Sequence, residues 1–398
     1  MSSHSQAVHA PAGLDHCPLM PTYGAPSVMF VEGKGSYLTD VEGKTYLDFL
    51  SGIAVCGLGH AHPEIAEAIY AQAQKLVHVS NLYATQLGAQ VAIILDRLIG
   101  GGGQVFFSNS GAEANECAIK LARKFGGHGR YNIVSAFGSF HGRTLAALAA
   151  TGQPAKWEGF QPLPEGFRHV PFNDLEEMDR AIDGTVAAVL LEPIQGEGGV
   201  NPASAAYFEG VRRLCDERGV LLMVDEVQTG LGRTGEWFGF QHFGVEPDVI
   251  TMAKALGNGM PIGACWAKKE VAAAFSPGDH ATTYGGQPLA ASAALATLNI
   301  MERIGAPQKA EHAGAKLKAA CAQLEGVVEV RGLGLLLAVQ LEETFDAKAV
   351  AAKLLENGLI VNAVSATALR LAPPLIVTDE EIESAVAILQ SVLQGEMS

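Results

Sequence analysis

Residues 220–227 read VLLMVDEV and residues 248–255 read DVITMAKA, and these two stretches decide the fold. In each, an apolar run ends in charge, Asp225 followed by Glu226 in the first and Lys254 in the second. Runs apolar on both faces, rather than alternating, mark strands covered on both sides, as in a mostly parallel sheet flanked by helices. The texture recurs outward from these stretches in QVFF (104–107), NIVSAF (132–137) and VAAVLLEP (186–193), with helical patterns between them. QVFF leads into a helix predicted over about 111–124. The expectation is an α/β fold whose large domain, residues 61–300, holds a mostly parallel central sheet.

Residues 1–60 differ in texture. An arm gives way to SVMFV, SYLTDV and TYLDFL, separated by turns at Glu32–Gly35 and Glu42–Lys44, which predicts a small antiparallel meander. Residues 301–398 alternate helices and strands again, with strand pairs in VVEVRGLGLLLAVQL and a helix from Asp346 to Asn357. LIVNAVS and LRLAP read as further short strands, and Thr378-Asp379-Glu380-Glu381 has the spacing of a capping box opening the last helix. The two terminal segments together make a smaller α/β domain, as a chain of 398 residues exceeds one typical core.

The net charge of −15 argues against nucleic acid or an anionic membrane as partner, both of which require a basic footprint. Hydrophobic residues at 48% with charged residues at 17% fit a packed globular protein. The cysteines, Cys17, Cys56, Cys117, Cys215, Cys265 and Cys321, are widely separated without C-x-x-C, and read as buried thiols in a reducing compartment. The first twenty residues lack a basic n-region, a long apolar run and any arginine, so the cytoplasm is the expected compartment.

Ligands of open α/β sheets bind beyond the carboxyl ends of the strands. Five strand candidates lead into polar groups there: Ser108-Asn109-Ser110-Gly111-Ala112, Phe140-His141-Gly142-Arg143, Glu192, Asp225 and Lys254. A lysine in the apolar, glycine-rich ITMAKALGNGMPIGA loses solvation and becomes an amine nucleophile for Schiff-base chemistry; a lysine at a loop start also snorkels to water. A carboxylate at Asp225 suits either a pyridinium nitrogen or backbone amides. Ser110, Gly111, Ala112 and Glu113 suit a phosphate at a helix start, or only a capping box. Phe140 suits stacking on a flat ring or a place in the core, and Arg143 a bidentate carboxylate clamp or an exposed cation.

Two motifs lead elsewhere. Gly230-Leu231-Gly232-Arg233-Thr234-Gly235 matches G-x-G-x-x-G, but Asp225–Thr229 separate it from the strand and residue 255 is Ala, so it reads as a bent loop. His60 and His62 in GHAHPE read as loop histidines, and no metal site is expected.

With these residues assigned, the chain resembles the class III (subgroup II) aminotransferases of pyridoxal-phosphate (PLP) fold type I. The likeness runs through GKGSYLTDVEGKTYLDFLSGIAVCGLGHAHP, NSGAEANECAIKLAR, FHGRT, VPFNDL, LEPIQGEGGV, MVDEVQTGLGRTG, DVITMAKALGNGMPIGA, TTYGGQPLA and LRLAPPL, which span nearly the whole sequence. The resemblance implies that Lys254 carries PLP and then serves as base and acid. It implies that Asp225 meets the ring nitrogen, Gln228 the phenolic oxygen and Phe140 the ring face, with Glu192 among the cofactor-binding residues. Ser110, Gly111 and Ala112 would hold the phosphate, with Thr283 reaching it from the other subunit of a homodimer. Arg143 would take the substrate α-carboxylate, and Arg370 would pair with Glu197 in one half-reaction and with a dicarboxylate in the other. Tyr23, Tyr83 and Thr282 stand where the family contacts substrate. Gln287, Ala281, Thr282 and Asn258 depart from the family pattern. The implied reaction moves an amino group from N-acetylornithine to 2-oxoglutarate, in arginine biosynthesis. Succinylornithine, succinyl-diaminopimelate, free ornithine or 4-aminobutyrate are alternative donors. An aminomutase or decarboxylase, and a non-catalytic binding protein, are the remaining alternatives.

Overall fold

The computed structural model describes residues 19, 20, 22, 23 and 26–397; the start of the expected arm and Cys17 lie outside the described residues. The meander forms as β1 (Phe30–Lys34), β2 (Tyr37–Asp40) and β3 (Thr45–Asp48), all antiparallel. The large sheet begins with β4 (Gly103–Ser108), β5 (Asn132–Ala136), β6 (Phe167–Val170) and β7 (Val186–Leu191). A two-stranded excursion, β8 (Ile194–Gln195) and β9 (Asn201–Pro202), precedes β10 (Leu221–Asp225), β11 (Val249–Met252) and β12 (Gly263–Lys268). Its order is β4-β12-β11-β10-β7-β5-β6. Among the described strands of this sheet, β12 alone runs against the direction of the others. The sequence reading missed β6 and β12: one is a short edge strand carrying Arg168 and His169, the other the glycine- and alanine-rich GACWAK.

Strands β5, β7, β10 and β11 are buried at every position, as their continuous apolarity requires. Alternate residues serve two cores. Leu222, Val224, Ile250 and Met252 face one layer, and Leu221, Met223 and Val249 face the other. Helix Gly111–Gly126 covers the second face because Ala114, Cys117, Ala118, Leu121 and Ala122 recur at helical spacing and are all buried. Ser110 caps it, Arg123 and Lys124 occupy its last turn, and Gly127 ends it with φ 66°.

The C-terminal segment contributes β13 (Val327–Leu333), β14 (Leu336–Leu341), β15 (Leu359–Ile360), β16 (Asn362–Ala363) and β17 (Ala368–Leu371). Four of these build a sheet of order β13-β14-β17-β16, while β15 adds to the meander in parallel with β3. The final helix, Asp379–Met397, opens with the expected capping box: the Glu381 amide donates to Thr378 Oγ1 (3.2 Å) and the Thr378 amide to Glu381 Oε2 (2.9 Å). Of the cysteines, Cys117, Cys215, Cys265 and Cys321 are buried, but Cys56 is only half-buried, because it lies in the turn leading out of the meander. Among the described residues, no helix is long and apolar enough to cross a membrane.

Candidate active site

The parallel strands deliver their carboxyl ends to one edge of the sheet, where a cavity of about 390 Å³ opens. That is the size range of small-molecule sites. Ser110, Gly111, Ala112, Phe140, Arg143, Glu192, Glu197, Asp225, Gln228 and Lys254 all line it, although the sequence spreads them over 145 positions.

At its floor, Asp225 is fixed from three directions. Asn115 Nδ2 and His141 Nδ1 each lie 2.8 Å from Oδ2, and the Val227 amide donates to Oδ1 at 3.0 Å. Asn115 also donates to the His141 carbonyl (2.7 Å) and accepts from the Thr251 hydroxyl (2.7 Å), so helix, loop and strand lock together. Sequence reasoning gave no role to Asn115 or His141. The available signal was a polar residue among Ala114, Cys117 and Ala118 on a buried helix face, where an amide must find a buried partner.

Lys254 follows β11 with φ 43°, a left-handed conformation unusual for a side chain with a Cβ. Burial draws its ammonium pKa down to about 8, against the pull of Glu197, Asp225 and Glu192. Burial, reinforced by the neighbouring Asp225, pushes the Glu192 carboxyl well above the usual carboxylate range. Glu192 Oε2 accepts the Phe140 amide at 3.1 Å, which orients the half-buried aromatic. Arg143 is exposed at the mouth, its guanidinium 5.6 Å from the Phe140 ring centre.

The helix start behaves differently from a reciprocal capping box. The Glu113 amide donates to Ser110 Oγ (3.2 Å), but the Glu113 carboxylate reaches one residue further back, to the amide (2.6 Å) and side chain (2.8 Å) of Asn109. Gly111 and Ala112 stand in the first turn, where amides have no carbonyl four residues back, and both face the cavity.

Arg370, on β17, is fully buried and ion-paired with Glu197. Its Nη1 also donates to Gln228 Oε1 (3.1 Å), and its Nε to Asn362 Oδ1 (3.1 Å). Nη2 has no partner among the described residues. Desolvation raises the Glu197 carboxyl, but Arg370 outweighs it and holds the group below its ordinary value.

Four expected residues stand apart from this cavity in the single chain. Tyr23 and Tyr83 are 90% and 72% exposed. Thr283 is also exposed and lines, with Tyr83, a second open cavity. The Thr282 hydroxyl is engaged locally, accepting the Gly285 amide (3.1 Å) and Asn109 Nδ2 (3.3 Å). Asn258 takes φ 47° and ties the Lys254 loop to the meander's exit, accepting the Leu58 amide (2.7 Å) and donating to the Gly59 carbonyl (3.0 Å).

The motifs set aside are structural. Residues 230–235 form a bent loop with φ 85° at Gly232 and 102° at Gly235. His60 has an acidic partner after all: Asp48 Oδ2 lies 2.7 Å from Nε2, and this bond, with Cys56 nearby, raises the imidazole pKa to about 9. Among the described residues, no cluster is suited to a metal ion.

Comparison with known proteins agrees with this arrangement. The family "Aminotransferase class-III" matches residues 20–393. An acetylornithine aminotransferase of Caldanaerobacter subterraneus subsp. tengcongensis is 48% identical over 94% of this chain and 97% of its own. One of Gloeobacter violaceus is 50% identical, over 94% and 95%. The ornithine aminotransferase of Toxoplasma gondii, solved with partial occupancy of PLP at its active site, superposes with a TM-score of 0.91 at 32% identity, over 96% of this chain and 94% of that one. With a lysine, a carboxylate and a helix start converging at the carboxyl edge of the sheet, and with these likenesses along its length, the chain belongs to the class-III aminotransferases.

Proposed function

We propose that the protein transfers the side-chain amino group of N-acetylornithine to 2-oxoglutarate, releasing N-acetylglutamate semialdehyde and glutamate, in arginine biosynthesis. Its relatives at 48–50% identity bear the name acetylornithine aminotransferase. The observation that carries the reading is the pairing of the buried Arg370 with the half-buried Glu197 of the cavity wall. A lone buried guanidinium would exclude an uncharged acylated tail, and a neutral pocket would give a second substrate carboxylate no partner. A carboxylate that pairs with Arg370 and then yields it lets one pocket serve both substrates in turn. The unpaired Nη2 offers the incoming carboxylate a donor.

The donor set fits pyridoxal phosphate. The first-turn amides of Gly111 and Ala112, with Ser110, would hold the phosphate, Phe140 the ring face, Asp225 the pyridine nitrogen and Gln228 the phenolic oxygen. When bound, the cofactor supplies a carbonyl for the amine and a cationic ring that accepts electrons from the carbon losing its proton. Three contacts prevent the Asp225 carboxylate from turning away, and Oδ1, which takes only one of them, keeps a further lone pair. The Lys254 amine, titrating at about 8, holds or releases a proton at Nζ near neutral pH, which suits it to take a proton from the substrate carbon and return it. Glu192, kept protonated more readily than an ordinary carboxyl, spares the floor a second negative charge beside Asp225. Arg143 at the mouth presents a fork to the substrate α-carboxylate.

A homodimer in the cytoplasm completes the reading, with Thr283 of one subunit reaching the phosphate bound by the other. Its support is the exposure of Thr283 and the apolar surface around it, with Leu82 at 85% and Tyr284 at 61%. The proposed division keeps residues 61–300 as the large domain and joins 1–60 to 301–398 as the small one.

The test is a panel of amino donors, N-acetylornithine, N-succinylornithine, ornithine and 4-aminobutyrate, with 2-oxoglutarate as acceptor. N-acetylornithine should exceed ornithine and 4-aminobutyrate in kcat/KM by about tenfold or more, equal to ~1.4 kcal/mol of transition-state binding. A preference for ornithine or 4-aminobutyrate sinks the assignment.

A further inference from the structure

Arg331 lies outside the cavity, on β13, yet it grips the loop that carries Glu197. We propose that Arg331 is a positioning residue for the Glu197–Arg370 pair, and so for the alternation between acylated and dicarboxylic substrates. The proposal rests on the reading of that pair given above.

The geometry begins with strand register. Arg331 stands opposite Ala338 of β14, and Ala338 stands opposite Arg370 of β17. The three form one cross-strand row, and directly opposed residues project to the same face of a sheet. Two arginines, two strands apart, therefore reach from one face toward the same four-residue segment, Gly196–Gly199. Arg370 takes its near end, donating to the Gly196 carbonyl (3.3 Å) and pairing with Glu197. Arg331 takes its far end, where Nε (3.0 Å) and Nη2 (2.7 Å) both donate to the Gly199 carbonyl. Nη1 donates to Gln340 Oε1 (3.0 Å) on β14, which fixes the guanidinium plane. The Arg331 side chain is 17% exposed, so these bonds are sheltered from competing water.

The segment has little freedom of its own. A Cβ on Gly198 would stand 2.5 Å from the Gly138 carbonyl oxygen, and one on Gly196 would collide with the Gln228 side chain. Gly199 holds φ 117°, which a residue with a Cβ rarely adopts. These close approaches press the backbone against Gly138 and Gln228, and Arg331 holds it at Gly199. When Arg370 turns to a substrate carboxylate, it gives up its hold on the near end, and the Arg331 anchor remains. Glu197 then returns to the same place for the next acylated substrate, and the neutral pocket re-forms without a search.

The half-reaction that needs Glu197 in place should suffer when the anchor is lost, and the one that displaces it should not. In holoenzyme carrying Arg331→Met, the KM for N-acetylornithine should rise about tenfold in single-turnover measurements, while that for 2-oxoglutarate changes by less than about twofold. Arg331→Lys, which keeps the charge and one donor nitrogen, should recover part of the difference, and thermal melting of both variants separates this split from a general loss of folding. In a Glu197→Ala background, Arg331→Met should have no further effect on the ratio of the two half-reactions, because coupled residues are not additive. Equal effects on both half-reactions, no effect on either, or full additivity with Glu197→Ala would overturn the proposal. If Glu197→Ala alone leaves the ratio unchanged, the substrate-alternation reading has failed, and the role of Arg331 with it.

Discussion

Lys254 is held in two conditions that cost free energy: a left-handed backbone and a desolvated ammonium. Both favour a neutral amine aimed into the cavity. A lysine on a mobile, hydrated loop titrates more than two pH units higher and presents almost no free base at neutrality. The sign of the resulting pH effect is definite. The amine is the reactive form and its fraction grows as pH rises through about 8, so incorporation of pyridoxal phosphate into cofactor-free protein should accelerate between about pH 7 and 9 and level off above. Stopped-flow absorbance at the cofactor band measures this, and a rate that is flat or falling over that range contradicts the role given to Lys254. Lys254 and Asp225 were legible in the sequence because each closes an apolar strand, and other polar groups close the neighbouring strands. Asn115 and His141 were not, because a polar side chain on a helix or loop reads as solvated until the tertiary fold shows the carboxylate it meets. Arg331 was hidden for a related reason, since only register across β13, β14 and β17 aligns it with Arg370.

Asn258 shows what an element asks of one position. The turn from Lys254 to Met260 needs a residue at φ 47°, and Asn tolerates that conformation better than most while bonding both Leu58 and Gly59. Asn258→Ala strands the Leu58 amide and strains the backbone, which should cost about 2 kcal/mol. Asn258→Gly loses the bonds but relieves the strain, so it should cost about 1 kcal/mol. Urea melts of the two variants provide the check, and the prediction fails if Gly is the more damaging. Among elements, the long apolar strands and the helix from Gly111 were readable because period and caps agreed. The short strands were harder. GACWAK carries few β-branched residues, and the pairing of β15 with β3 joins residues more than three hundred positions apart, which no local pattern encodes.

For the whole molecule, the single chain leaves Leu82, Tyr83 and Tyr284 exposed around a cavity that holds Thr283. Apolar side chains gathered around a polar pocket suit the proposed association. Sedimentation equilibrium should therefore give twice the chain mass of 41.6 kDa, and a monomer that turns over at full rate would remove the shared-site proposal. Thr283→Ala should weaken cofactor retention in such a dimer. The antiparallel placement of β12 has a further consequence, for how the chain finds its structure. Strands β11 and β12 are neighbours in the sheet and are joined by residues 253–262 alone, whereas the other described neighbours in that sheet are joined by longer crossovers. Closing a short loop loses the least chain entropy, so this ladder can zip before the parallel pairs, which must wait for their helices. Lys254 rides on that loop. The loop to which the proposed mechanism gives the chemistry is thus also where the sheet is cheapest to nucleate, and lengthening residues 255–261 should slow refolding as well as misplace the amine.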